Sequence, residues 1–188
     1  MSAPALELRE KRERLGLKGP RAAEWLAAQG IASPMTPNTW THSEQVMAAD
    51  ALLVARLGSA EFFLEDGVTG TTLERISPSL NENLPGVYPV LREDWAFHLG
   101  GDGVHDVLAQ VCNVNFAALS LDSRPLIMTL MVGVAVLVVP QSAGGGGQGT
   151  AATRHYRIWC DPTFGPYLGE SLGAVVIECG GRYTGVSR

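Results

Sequence analysis

The 188-residue sequence predicts an α+β fold made of two pseudo-repeated strand–helix–strand units packed together. Three observations carry that expectation. Apolar residues make up 46% of the chain and charged ones 18%, which supplies a sizeable core for one compact domain. Strand-like and helix-like stretches alternate, the clearest helical stripe being Val104, Val107, Leu108 and Val111 at i, i+3, i+4 and i+7. A Gly turn leading into a helix also occurs twice. Leu17-Lys18-Gly19 with Ala22 and Leu26, and Leu99-Gly100-Gly101 with Val104 and Leu108, share an offset of 82 residues (Gly19 to Gly101, Leu26 to Leu108). Two such units, each with one apolar sheet face, would bury both faces by pairing, with helices covering the sheets from outside. Gly58-x-Ala60 pairs with Gly133-x-Ala135 at a second offset of 75, or else the strand at Tyr156 is the counterpart of residues 62–66.

In chain order, residues 1–13 form an N-terminal arm, read as a short charged helix or a mobile segment. The first unit spans residues 14–80. Residues 14–18 are a short strand closed by a turn at Gly19. Pro20 then suits the first position of a helix, where its missing N–H costs nothing. Residues 21–29 are Ala-rich, with Trp25 and Leu26 facing the core and Gly30 as the stop. Residues 32–50 read as loop, and residues 52–66 as two strands around Gly58-Ser59. Residues 71–80 hold a short helix ended at Pro78, and residues 81–85 are a linker. The second unit spans residues 87–178. It starts with an apolar strand over residues 87–99, followed by a helix capped at Asp102 and ended at Asn113. Residues 126–139 are strand-like, residues 141–153 a Gly-rich loop and residues 156–160 a strand. Thr163 caps a final helix over residues 164–173, which Gly169 and Gly173 weaken.

Charge and composition exclude several functions. Net charge is −5, and Arg9, Lys11, Arg12 and Arg14 interleave with Glu7, Glu10 and Glu13. That pattern is a solvated face, so no nucleic-acid partner is expected. No apolar leader follows the first residues, and no secretory signal is expected. The longest apolar run, residues 126–139, is fourteen residues broken by Thr129 and Gly133, which suits a buried strand and not a membrane span. Cys112, Cys160 and Cys179 are odd in number and far apart. They read as small buried residues in a reducing, cytoplasmic setting, with no disulfide and no metal site.

A search for chemistry assigns no catalytic, cofactor-binding or metal-binding residue. The run Gly144 to Gly149 lacks the Lys and the following helix that a phosphate loop needs, so it reads as a hairpin tip. His42, His98, His105 and His155 show no metal spacing, and His105 lies on the flank of the helical stripe. Glu65-Asp66 and Glu93-Asp94 read as turn or strand-end residues rather than general acids or bases. The aromatics Trp40, Trp95, Trp159, Tyr156, Phe164 and Tyr167 divide between core and interface.

The order and spacing of several segments resemble one family. These are Leu15-Gly16-Leu17-Lys18-Gly19-Pro20; residues 54–64, beginning Val54-Ala55-Arg56; Ala96-Phe97-His98-Leu99-Gly100-Gly101; the helix through Asp106-Val107-Leu108; and Pro162-Thr163-Phe164-Gly165-Pro166-Tyr167-Leu168. Together they resemble the gamma subunit family of heterotetrameric sarcosine oxidase and the matching small subunit of N-methylglutamate dehydrogenase. That family is similar in fold to glycine-cleavage aminomethyltransferase. The resemblance implies a folate-binding aminomethyltransferase-like fold and a structural, non-catalytic place in a heterotetrameric flavoenzyme. The whole complex would oxidise sarcosine or a related N-methyl amino acid by oxidative demethylation. It implies larger flavin-containing and folate-binding partners plus a small zinc-containing one. FAD, FMN, NAD, tetrahydrofolate and zinc would then belong to the partner subunits, with none in this chain. In the transferase, acidic residues follow the Gly of the equivalent hairpin, whereas Val134-Ala135-Val136-Leu137-Val138 follow Gly133 here, so no catalytic role carries over. With nothing expected beyond residue 188, the chain is also short for a complete transferase. The alternative reading is a stand-alone folate-binding one-carbon transfer or regulatory protein.

Overall fold

The computed structural model describes residues 3–8, 12–43, 51–82, 84–142 and 154–185. The Gly144–Gly149 run lies outside the described residues. The chain divides into two compact units, residues 12–93 and residues 1–11 with 94–188. The described residues form a mixed α+β structure with two sheets and four α-helices.

The first strand along the chain, β1 (Ala5–Leu8), belongs to the unit completed by residues 94–188. This corrects the helix or arm expected for residues 1–13. Leu6 is fully buried, and the alternation Leu6, Glu7, Leu8 has the period of a strand. The density of charge beside it obscured that short alternation.

The unit of residues 12–93 contains β2 (Arg14–Lys18), α1 (Ala22–Ala28), β3 (Thr39–His42), β4 (Leu53–Gly58), β5 (Glu61–Glu65), α2 (Thr72–Ile76) and β6 (Tyr88–Val90). Its sheet runs in the order β3-β4-β5-β2-β6, and the pairs are antiparallel. Leu17, Val54, Phe62 and Leu64 alternate onto one face, against Trp25 and Leu26 of α1 and Leu73 and Ile76 of α2. A seven-residue helix is too short to persist alone, so α1 owes its stability to this packing. Pro20 lies outside α1, because Gly19 at φ +123° bends the chain beneath it and the helix begins at Ala22. A Cβ at Gly19 would strike the Gly86 carbonyl, so the close approach as well as the φ demands glycine. Gly30, at φ +74°, ends the turn after α1 as expected.

The segment read as loop contains β3, which pairs with β4 through Trp40 opposite Ala55. Its four half-buried residues carry no apolar run to announce a strand. Arg56 holds this edge together. Its guanidinium donates to the carbonyls of Pro34 (3.1 Å), Met35 (2.8 Å), Gly58 (3.1 Å) and Ser59 (2.6 Å). Pro78 lies inside the 3-10 turn Ser77–Glu82 that continues α2, rather than ending the helix.

The second unit adds β7 (Trp95–Gly100), α3 (Val104–Val111), β8 (Ile127–Met131), β9 (Val134–Ser142), β10 (Arg154–Cys160), α4 (Gly165–Glu178) and β11 (Arg182–Thr184). Its sheet order is β11-β1-β7-β10-β9-β8. The run expected as one strand over residues 126–139 is a hairpin, β8 and β9, closed at Val132-Gly133. Both turn residues have positive φ, +43° and +86°, the geometry of a two-residue hairpin turn. Val132 is β-branched and pays for that conformation in strain. The α3 stripe of Val104, Val107, Leu108 and Val111 is buried, each side chain contributing about 1.5–3 kcal/mol. The cap of α3 is Gly103 at φ +77°, not Asp102, and the helix stops at Cys112, whose extended backbone breaks it before Asn113.

The helix expected to end at residue 173 continues to Glu178. Its glycines are contacts rather than weak points. Gly165, Gly169 and Gly173 fall on one face at i, i+4 and i+8. A Cβ there would collide with the Trp95 ring, with Tyr183 Oη (2.9 Å) and Phe97 (3.0 Å), and with the Tyr183 ring, respectively. Glycine therefore lets α4 lie close on β7 and β11.

Both sheets share one strand arrangement: a strand before a helix (β2, β7) lies beside the last of three later strands (β5, β10). At the 82-residue offset, Gly19 and Gly101 both take positive φ, and Ala22 and Val104 each open a helix. The 75-residue register fails. Gly58 pairs with Glu61 in a hairpin between β4 and β5, whereas Gly133 sits in the turn between β8 and β9. Strand β10, which carries Tyr156, lies beside β7 as β5 lies beside β2.

Candidate functional site

Along α3 and the segment that follows it lies a groove of about 500 Å³, lined by His105, Asp106, Cys112, Asn113, Asn115 and Phe116, among others. The 3-10 turn Phe116–Ala118 forms one wall. Period-3.6 spacing puts His105 on the flank of α3, next to the buried stripe. Period-2 alternation puts Tyr156 of β10 on the helix-covered sheet face, fully buried. The two meet: His105 Nε2 and Tyr156 Oη are 2.7 Å apart. The Phe116 ring stands edge-on to Tyr156, with ring centres 5.3 Å apart. Arg154, two residues before Tyr156, donates to the carbonyls of Phe116 (2.9 Å) and Ala117 (3.4 Å).

The electrostatics follow from burial. Burial holds His105 below the ordinary histidine range, the Arg154 charge adds to that, and Asp106 opposes it. Burial raises the Tyr156 phenol, and Arg154 opposes that. At neutral pH the pair is a neutral imidazole and a phenol joined by one hydrogen bond, with a guanidinium alongside. The arrangement can anchor a turn and present a polar wall to the groove. Cys160, also on β10, is pushed up to about 11 by burial and by the charges of Asp94 and Asp161, so it remains a thiol at neutral pH.

Glu65 and Asp66, read as turn residues, are buried, at 1% and 2% exposure. Glu65 Oε2 accepts from Arg14 Nε at 2.5 Å. Asp66 Oδ2 accepts from the Leu73 N–H at 2.9 Å and so serves the start of α2. Desolvation raises the Asp66 carboxyl, outweighing the backbone bonds from Leu73 and Thr72. Local sequence hid this role, because the partners lie seven residues away and on another strand. His98 of β7 and His155 of β10 stack with ring centres 4.9 Å apart, and His155 Nε2 lies 2.9 Å from Gln141 Oε1. His42 lies on β3 against Trp40. Asp94 directly precedes β7, as expected of a strand-end residue. Trp159 and Tyr156 are core, Trp40 and Trp95 are half-buried, and Phe164 and Tyr167 are about half exposed. Cys112 and Cys160 are buried, but Cys179 is only half-buried, and its sulfur accepts from Gln110 at 3.3 Å. Among the described residues no group of three or more His, Cys, Asp or Glu is placed to hold a metal ion. No helix among them is long and apolar enough to cross a membrane.

Comparison with solved structures places the architecture. The glycine cleavage system aminomethyltransferase T from Bartonella henselae matches with a TM-score of 0.68 at 17% identity, over 98% of this chain and 48% of the other. The fold is similar to aminomethyltransferase-like folds. A chain of heterotetrameric sarcosine oxidase from Corynebacterium sp. U-96, in complex with pyrrole 2-carboxylate, is similar as well. It matches with a TM-score of 0.69 at 19% identity, over 97% of this chain and 88% of that one. This chain thus spans about half the length of the transferase. No protein-family profile matches the sequence, and no curated protein matches it either.

Proposed function

We propose that this chain is a structural, gamma-type subunit of a heteromeric flavoenzyme that oxidises sarcosine or a related N-methyl amino acid by oxidative demethylation. The observation that carries the reading is the near-complete mutual coverage with a chain of a heterotetrameric sarcosine oxidase, 97% of one and 88% of the other. The transferase likeness supports the fold but spans only half of that enzyme. Surface chemistry supports an assembled protein. Strand β8 is a sheet edge, and its Met128 and Leu130 are 55% and 60% exposed, where single-chain proteins usually place polar groups. In this reading flavin and folate sit in larger partner subunits and zinc in a small one, and this chain supplies contact surface to them. A flavin held by a partner subunit would supply the hydride acceptor, and in this reading the present chain would supply contact surface rather than a reacting group.

The test is affinity capture of the full-length tagged chain from its native host. The expected complex is yellow and reduces an electron acceptor when sarcosine or another N-methyl amino acid is added. A captured protein with neither flavin absorbance nor N-methyl amino acid-dependent turnover sinks the proposal. Saturable quenching of tryptophan fluorescence by tetrahydrofolate on the isolated chain would favour the folate-binding alternative instead.

A further inference from the structure

We propose that β8 is a docking edge, to which a partner subunit adds an extended strand and lays apolar side chains against Met128 and Leu130. The inference rests on the reading of this chain as a subunit of a larger assembly. It starts from the hairpin register. The two-residue turn Val132-Gly133 is closed by Met131 opposite Val134, which are therefore a hydrogen-bonded pair. Alternation then makes Thr129 and Ile127 the hydrogen-bonded partners of Val136 and Val138. The N–H and C=O groups of Met128 and Leu130 point the other way, out of the end of the sheet. Among the described residues these groups have no backbone partner. The two side chains lie on the face turned away from α3 and α4, Met128 beside Leu137 and Leu130 beside Ala135. The corner they make is apolar and neutral, since no charged residue occurs between Pro125 and Gln141.

The other sheet ends show what a guarded edge looks like. β11 is three residues long and begins at Arg182, β6 is three residues long with Pro89 at its centre, and β3 is half-buried along its length. Shortness, charge, proline and cover each discourage strand addition. β8 has five residues, no charge and no proline, and its outward pair is more than half exposed. A row of open N–H and C=O groups selects an extended strand over a helix, because only a strand offers matching groups at the same spacing. The side chains that meet Met128 and Leu130 must be uncharged, since a charge desolvated there has no partner. The remaining choice is between β8 of a second copy and a strand of a different subunit, and area decides it. Two such short strands paired edge to edge cover on the order of a few hundred Å² per copy, against about 800 Å² per partner in a stable interface. The edge therefore fits as one part of a wider contact with a larger subunit.

The experiment is amide hydrogen exchange, resolved to single residues, on the full-length chain alone and in the complex captured from its native host. In the complex the Met128 and Leu130 amides should slow by about tenfold or more, while those of Thr129 and Met131, already bonded to β9, change less. Leu130→Pro removes one outward N–H and no bond to β9, so the isolated chain should keep its Tm while recovery of the partner falls about tenfold. Leu130→Lys leaves the backbone intact and should lower recovery likewise, which keeps the test open even where proline perturbs the hairpin. Unchanged exchange at Met128 and Leu130 in a captured complex overturns the docking edge, whether or not that complex holds flavin. So does a dimer of the isolated chain that Leu130→Lys splits, which assigns the edge to a second copy. Capture of the chain with no partner overturns both this edge and the subunit reading. A complex that protects both amides but lacks flavin and N-methyl amino acid turnover upholds the edge and removes the flavoenzyme reading.

Discussion

Asp66 shows how one buried atom pair sets a pH response. One carboxyl oxygen accepts the Leu73 N–H, while the other, also buried, has no hydrogen-bond partner among the described residues. Its folded value is raised by desolvation, so the folded chain binds a proton that the unfolded chain would release. Between the ordinary carboxyl value of 3.8 and the raised value, stability therefore falls as pH increases, and the cost is complete above that window. Asp66→Asn keeps an acceptor for Leu73 and removes the ionisation. Urea midpoints should be higher for the variant at pH 7, with the gain fading as pH drops below the ordinary carboxylate value. Equal midpoints at pH 7 would mean that the carboxylate is better solvated than its burial implies. Sequence made Asp66 look like a turn residue because Gly67 follows it, and left Tyr156 among the aromatics of core or interface. In both cases the decisive partner is distant in the chain, at Leu73 or at His105, and local pattern carries no trace of it.

At the scale of elements, α4 reverses the usual meaning of glycine. Helix propensity favours Ala over Gly by about 1 kcal/mol, which made residues 169 and 173 read as a weakness and shortened the expected helix. Yet Gly173 leaves no room for a Cβ beside the Tyr183 ring. Gly173→Ala should therefore lower stability by about 1–3 kcal/mol despite the better propensity, the usual cost of overpacking, as thermal unfolding would record. A rise in Tm would show that α4 can shift off β11 freely. Helices with one apolar stripe, such as α3, were legible because period 3.6 is unmistakable. The hairpin inside residues 126–139 was not, since Val132 is an unusual occupant of a turn that favours Asn or Gly. The strand expected over residues 87–99 is two, β6 and β7, which belong to different units, and strands β3 and β11 were missed for another reason. Each is only three or four residues long, and neither carries an apolar alternation.

For the molecule as a whole, the expected fold class matches, while the unit that contains β1 is discontinuous in sequence. Leu6 of β1 packs in the core formed with α3 and α4, at 0% exposure. Leu6→Ala should cost about 2–5 kcal/mol, typical of a buried leucine truncated to alanine. Native-state hydrogen exchange should show the loss concentrated in residues 94–185, with residues 12–82 little changed. Uniform loss across both units would mean that they unfold as one.

That placement also sets a timetable for biosynthesis. Ala5 pairs with Gly100 on one side and with Arg182 on the other. Synthesis from N- to C-terminus therefore delivers β1 long before either neighbour exists. Residues 12–93 have everything they need to close while Leu6 and Leu8 still wait in water. The later partner to emerge, β11, completes the sheet around a strand made long before it, and the nascent chain must keep that sticky segment out of trouble until then.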